Sequence, residues 1–125
     1  MIPFDSLSIE DGSPIYVQIL RFVKRGIVTG SILNGDELPS RRVLSSLLGI
    51  NPNTVQKAYR MLEDEGLIES RSGAKSVMVL DGSTIERIHS ELLENDVLSA
   101  ISALKQAGMS KEEALKLIEQ NWEGV

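Results

Sequence analysis

Residues 39–66, PSRRVLSSLLGINPNTVQKAYRMLEDEG, read as two helices joined by a tight turn. In the first, Ser40 is placed to cap, Leu44, Leu47 and Leu48 recur on one face, and Gly49 suits the left-handed position that ends a helix. Asn51 is a favoured N-cap for the second, Pro52 fits its first turn, and Gly66 closes it. Val55, Ala58, Tyr59 and Leu62 fall on one face at helical spacing, which marks that face as buried. Opposite lie Asn53, Lys57 and Arg60, with Thr54 and Gln56 on the flanks. Amides and long cations in the first turns of a helix are the groups that reach base edges and phosphates in a DNA major groove.

The charges point the same way. Residues 38–62 contain Arg41, Arg42, Lys57 and Arg60 and no acidic residue, within a chain of net charge −5. A locally basic stretch in an acidic protein is a candidate phosphate-binding surface. The acidity is confined elsewhere: residues 1–80 carry nine basic against nine acidic side chains, and residues 81–125 carry four against nine. We therefore expect two parts with different work, a DNA-facing domain over residues 1–80 and an acidic tail over residues 81–125.

Length and composition narrow the chemistry. A chain of 125 residues holds one small domain and an appendage. It has no cysteine and one histidine, His89, so thiolate, disulfide and Cys-based zinc chemistry are excluded and a histidine triad has little to work with. Nothing in the sequence calls for a metal or another cofactor, and none of it singles out a small-molecule effector. The first residues, MIPFDSLSIEDG, lack the basic and apolar runs of a signal peptide, and no apolar stretch is long enough to span a membrane. The expectation is a cytoplasmic protein with no membrane partner.

Outside the central stretch, residues 1–13 read as an extended arm, because Pro3 and Asp11-Gly12-Ser13 interrupt any periodicity. A helix is expected over 14–29, capped by Ser13, opened by Pro14, and buried through Ile15, Ile19, Phe22, Val23 and Ile27. After Gly66, the runs 67–70 and 76–80 flank a loop that contains Arg71 and Lys75, the pattern of a β-hairpin. Three helices followed by a basic hairpin form the pattern of a winged helix. In the tail, Ser83-Thr84-Ile85-Glu86 reads as a capping box for a helix through Ile85, Ile88, Leu92, Val97, Ile101 and Leu104. Ser110-Lys111-Glu112-Glu113 is a second box, for a helix presenting Ala114, Leu115, Ile118 and Trp122, with Met109 placed to staple against Ala114. These apolar faces either fold back on the domain or pair with a second copy of the chain. Their length and the scarcity of basic residues in the tail favour pairing.

The sequence resembles the GntR family of bacterial transcription regulators over roughly residues 8–80. The likeness lies in Pro14-Ile15-Tyr16-Val17-Gln18-Ile19, in Leu38-Pro39-Ser40-Arg41-Arg42, in Leu48-Gly49-Ile50-Asn51-Pro52-Asn53-Thr54-Val55 with Ala58-Tyr59, and in Gly66-Leu67-Ile68. The family normally adds a larger ligand domain. The two helices found here in its place resemble the YtrA-like subfamily, whose members dimerise through such a tail and often regulate genes for membrane transport. The resemblance implies that Ser40, Arg42, Asn51, Asn53, Thr54 and Gln56 lie at the DNA and that the wing tip enters the minor groove. One departure stands out: the family's wing pattern G-x-G-x-[FY]-V is here Gly73-Ala74-Lys75-Ser76-Val77-Met78, with Lys75 in place of the second glycine. That exchange restricts the backbone at the tip and offers a cation there instead.

The expected molecule is thus an α+β protein, a winged helix-turn-helix domain followed by a two-helix dimerisation tail. It would act as a homodimeric repressor on a palindromic operator. Asn53 and Gln56 are the candidates for base edges, since amides pair bidentately with adenine. Ser40, Arg41, Asn51, Thr54, Lys57 and Arg60 complete the set on the two helices, with Arg71 and Lys75 in the wing. Arg42 could read guanine, bind phosphate, or form an ion pair with Glu37 or Glu63. The dimer contacts would come from Ile85, Ile88, Leu92, Val97, Ile101, Leu104, Leu115, Ile118 and Trp122. The alternative is a winged-helix module that binds protein instead of DNA; such modules favour acidic or apolar recognition helices, unlike residues 38–62. An enzyme is the remaining class, and no segment here resembles a cofactor-binding domain.

Overall fold

A computed structural model describes residues 1–71 and 75–125. After a single 3-10 turn at Phe4–Ser6 come α1 (Ile15–Thr29), β1 (Glu37–Leu38), α2 (Arg41–Leu48), α3 (Pro52–Asp64), β2 (Ile68–Arg71), β3 (Lys75–Met78), α4 (Gly82–Gln106) and α5 (Lys111–Asn121), with a last 3-10 turn at Trp122–Gly124. The chain divides into two compact units, Met1–Ser90 and Glu91–Val125.

The first unit is an α+β winged helix-turn-helix. Helices α1, α2 and α3 share one core through Ile19, Val23, Ile27, Leu44, Val55, Ala58, Tyr59 and Leu62, positions that helical spacing marked in the sequence, whereas Leu47, marked with Leu44 and Leu48, is 51% exposed. The α2–α3 turn forms as read: the Ser40 hydroxyl accepts the Val43 N–H at 3.2 Å, Gly49 takes the left-handed conformation at φ 67°, and the Asn51 side chain accepts the Asn53 N–H at 2.8 Å. Tyr59 pins the entry to α2 from inside. Its buried hydroxyl donates to the Pro39 carbonyl at 2.7 Å, and burial pushes the phenol well above its usual range despite the neighbouring Arg41 charge. Tyr59→Phe leaves that buried carbonyl without its donor and is expected to cost about 1–3 kcal/mol, measured by denaturant unfolding.

The sheet has one strand more than the hairpin expected. β3 lies in the middle, pairing antiparallel with β2 through Ile68↔Met78 to Arg71↔Lys75 and with β1 through Glu37↔Val77 and Leu38↔Ser76. A two-residue strand has no periodicity to betray it, so β1 exists only because β3 offers an edge.

Four expectations need correction. Residues 1–13 are not an extended arm: Ile2 and Phe4 are buried, the Ile2 N–H donates to the Glu37 carbonyl at 2.9 Å, and the Phe4 and Phe22 rings lie 5.2 Å apart. The Gln18 side chain fastens the rest of the segment, bonding the Glu10 N–H and carbonyl at 2.9 and 2.8 Å and the Ser13 carbonyl at 3.0 Å. Helix α1 starts at Ile15, with Pro14 in the cap position and no cap from the Ser13 side chain. Within α1, Gly26 is required because the Ile32 side chain occupies the space a Cβ would take.

The other two corrections concern α4. It begins at Gly82, and the cap is Asp81, whose carboxylate accepts the Thr84 N–H at 2.8 Å and the Ser83 hydroxyl at 3.1 Å. The box read at Ser83 and Glu86 therefore gives way to an aspartate two residues earlier, an equally good cap that the longer helix can use. The start of α4 also belongs to the first unit. Ile88 is completely buried in its core, and Arg87 donates to the Glu65 carbonyl at 3.1 Å. The boundary expected at residue 80 thus falls ten residues later, after Ser90. Ile88, and Leu92 at 4% exposure, are already buried within the single chain.

In the second unit, α5 carries the capping box read from the sequence: the Ser110 hydroxyl accepts the Glu113 N–H at 3.2 Å, and the Glu113 carboxylate accepts the Ser110 N–H at 3.1 Å. Met109 and Ala114 line one apolar cavity of about 460 Å³ together with Ile101, Leu104, Leu115 and Ile118. Val97, Leu98, Leu117 and Trp122 are also exposed.

Candidate nucleic-acid interface

Burying Val55, Ala58, Tyr59 and Leu62 of α3 forces the opposite face outward. Asn53, Gln56, Lys57 and Arg60 are all exposed there, and Thr54 is half-buried beside them. At the start of α2, Arg42 and the cap Ser40 are exposed as well. Ser40 and Asn51 spend acceptor lone pairs on capping. The hydroxyl proton of Ser40 and the amide NH2 of Asn51 are left to donate outward.

The cations differ in how far they are engaged. Arg42 is exposed and has no ion pair among the described residues, so the pairing weighed for it with Glu37 or Glu63 is not made. Its neighbour Arg41 takes Glu63 instead, at 3.7 Å, lies 5.1 Å above the Tyr59 ring, and donates through Nε to the Gln56 side-chain oxygen. Lys57 rests over the Tyr16 ring of α1 at 3.9 Å, an attraction that orients its stem while leaving the charge at the surface. Arg60 is exposed.

The wing is less free of acid than its sequence suggests. Arg71 and Lys75 are register partners across β2 and β3. Arg71 sits 3.9 Å from Glu69, and Lys75 sits 3.8 Å from Glu37 on β1. These pairs are solvent-exposed and of the kind worth little, so phosphate can compete for both cations. The tip, residues 72–74, lies outside the described residues. Sequence reasoning missed Glu37 as a wing partner because the strand that delivers it was not legible. It also missed the link from Arg41 to Gln56, which needs two helices in register. The nearest signal was the pair of arginines at the start of α2.

Set beside known proteins, residues 15–77 match the family model described as bacterial regulatory proteins, gntR family. A solved GntR family transcriptional regulator from Listeria monocytogenes superposes with a TM-score of 0.75 at 31% identity, covering 90% of this chain and 98% of that one. The HTH-type transcriptional repressor YtrA of Bacillus subtilis is 45% identical over 73 residues, 58% of this chain and 54% of YtrA. The AraR DNA-binding domain, solved in complex with operator ORX1, matches at a TM-score of 0.50 and 26% identity, over 58% of this chain and 93% of that domain.

Proposed function

The chain belongs to the GntR family of bacterial regulatory proteins, a DNA-binding transcription regulator with a winged helix-turn-helix, and from that premise we propose that it is a homodimeric repressor of a palindromic operator. The observation that carries this reading is the outward face of α3, where two amides, a lysine and an arginine stand exposed in the first three turns of a helix held rigidly by its buried face. Asn53 and Gln56 then meet base edges in the major groove, while Ser40, Arg42, Thr54, Lys57 and Arg60 hold phosphates and set the register. Arg71 and Lys75 follow the backbone from the wing. The operator-bound AraR domain supports the docking, and the name of YtrA supports repression.

Dimerisation is carried by the second unit, whose apolar residues stay exposed in the single chain. Two chains related by a two-fold axis place two α3 helices on two half-sites, which is why the operator should be palindromic. No helix among the described residues is long and apolar enough to cross a membrane. The chain works, in this reading, on DNA in the cytoplasm.

Fluorescence titration of a labelled duplex at several salt concentrations tests the proposal. Affinity should fall steeply and log-linearly as salt rises, because each phosphate contact releases a counterion. Binding that ignores salt, or no binding to any duplex, would favour the protein-interaction module. In the same assay Lys75→Ala should weaken operator and random duplexes by similar factors and flatten the salt slope by about one unit. An unchanged slope would remove Lys75 from the interface.

A further inference from the structure

Of the basic residues in the acid-free stretch, Arg41 alone is half-buried, its side chain 30% exposed. Its guanidinium lies over the Tyr59 ring, its Nη2 faces the Glu63 carboxylate, and its Nε donates to the Gln56 side-chain oxygen. Tyr59 is itself fixed by its bond to the Pro39 carbonyl, and Glu63 also accepts the Ser70 hydroxyl at 3.0 Å. The cage is therefore anchored in α2, α3 and β2, and it meets Arg41 on the face of the guanidinium and along its edge.

We propose that Arg41 is a positioning residue that fixes which end of the Gln56 amide faces DNA, so that Gln56 selects guanine over adenine at one base pair of each half-site. An arginine Nε–H can only donate, so it holds the amide oxygen toward itself; the flipped amide would set two donors against each other. The NH2 group is thereby turned outward. An adenine edge offers one acceptor and one donor, and reading both requires the amide oxygen at the base. A guanine edge offers two acceptors, N7 and O6, which suit an amide presenting only N–H. Caged Arg41 thus leaves the phosphate contacts to Arg42, Lys57 and Arg60 and changes the preference that free Gln56 would have.

This inference rests on the DNA-binding reading above. The test measures affinity for duplexes carrying each base pair at every half-site position, for the native protein and for Arg41→Met, Arg41→Lys, Gln56→Ala and the Arg41→Met/Gln56→Ala double variant. The native protein should prefer guanine to adenine about tenfold at one position. Arg41→Met should erase or invert that preference at the same position, since it offers the Gln56 amide oxygen no donor, whereas Arg41→Lys, whose ammonium can only donate, should keep its direction. If Arg41→Met does not fold, Arg41→Leu, which likewise lacks a donor, takes its place. Gln56→Ala should abolish the preference, and adding Arg41→Met should change it no further.

Two outcomes overturn the inference while leaving the DNA-binding reading intact. One is a uniform loss on all duplexes in both Arg41 variants, which would make Arg41 a phosphate contact. The other is a loss at a position that Gln56→Ala leaves unchanged, which would make Arg41 a base reader. A native protein that binds no duplex would overturn the reading and the inference together.

Discussion

A chain cut after Leu80 should melt at least about 10 °C below one cut after Ser90, or fail to fold. Ile88 is fully buried in the same core as Leu62, Leu67 and Met78, although it belongs to a helix that the sequence assigned to the tail. Removing a fully buried isoleucine costs about 2–5 kcal/mol. A domain of this size has only about 5–15 kcal/mol in hand, and each kcal/mol moves its melting point by about 4–8 °C. The cut after Leu80 also removes the Arg87 bond to the Glu65 carbonyl at the C-terminal end of α3. Ile88→Ala in the whole chain should reproduce most of the loss, while Ile85→Ala, at a position 39% exposed, should cost little. Equal melting points for the two truncated chains would show that α4 adds nothing to the domain's core.

The second large effect is expected in the tail. Ile101 and Ile118 come from α4 and α5, line the same apolar cavity, and remain 44% and 41% exposed in the single chain. With Val97 at 57% and Trp122 at 72%, they leave more apolar surface open than a lone domain usually tolerates. Ile101→Glu with Ile118→Glu should convert a dimer to a monomer in light scattering, because two carboxylates would have to be buried opposite apolar side chains. Operator affinity should then fall by at least about a hundredfold, since two half-sites no longer act at one effective concentration. Thermal stability of the first unit should be unaffected. A native chain that is monomeric at tens of micromolar, or a double variant that stays dimeric, would remove the tail from assembly.

What the sequence made legible was local. The caps at Ser40, Asn51 and Ser110 involve residues two or three apart, and each forms as the sequence implies. The buried face of α3 follows from spacing alone. The features that escaped depend on chain segments far apart. Ile2 and Phe4 are too few to make a pattern, and only the folded domain supplies the site they fill. The spacing of Ile85, Ile88 and Leu92 places them on one side of α4, but spacing cannot say whether the same chain or another covers that side. The Arg41 cage joins residues 15 to 22 positions apart across α2 and α3, so a sequence that offers four cations cannot show which one is withdrawn from the surface.

The central claim is that two copies of α3 read a symmetric DNA site, and selection of bound fragments from a random duplex pool tests it most directly. The selected sequences should converge on an inverted repeat whose half-site centres lie about one helical turn or a multiple apart, and the enrichment should vanish with Gln56→Ala at one position of each half-site. Fragments that stay random, or that share a single asymmetric site bound equally well by the Ile101→Glu/Ile118→Glu variant, would contradict it.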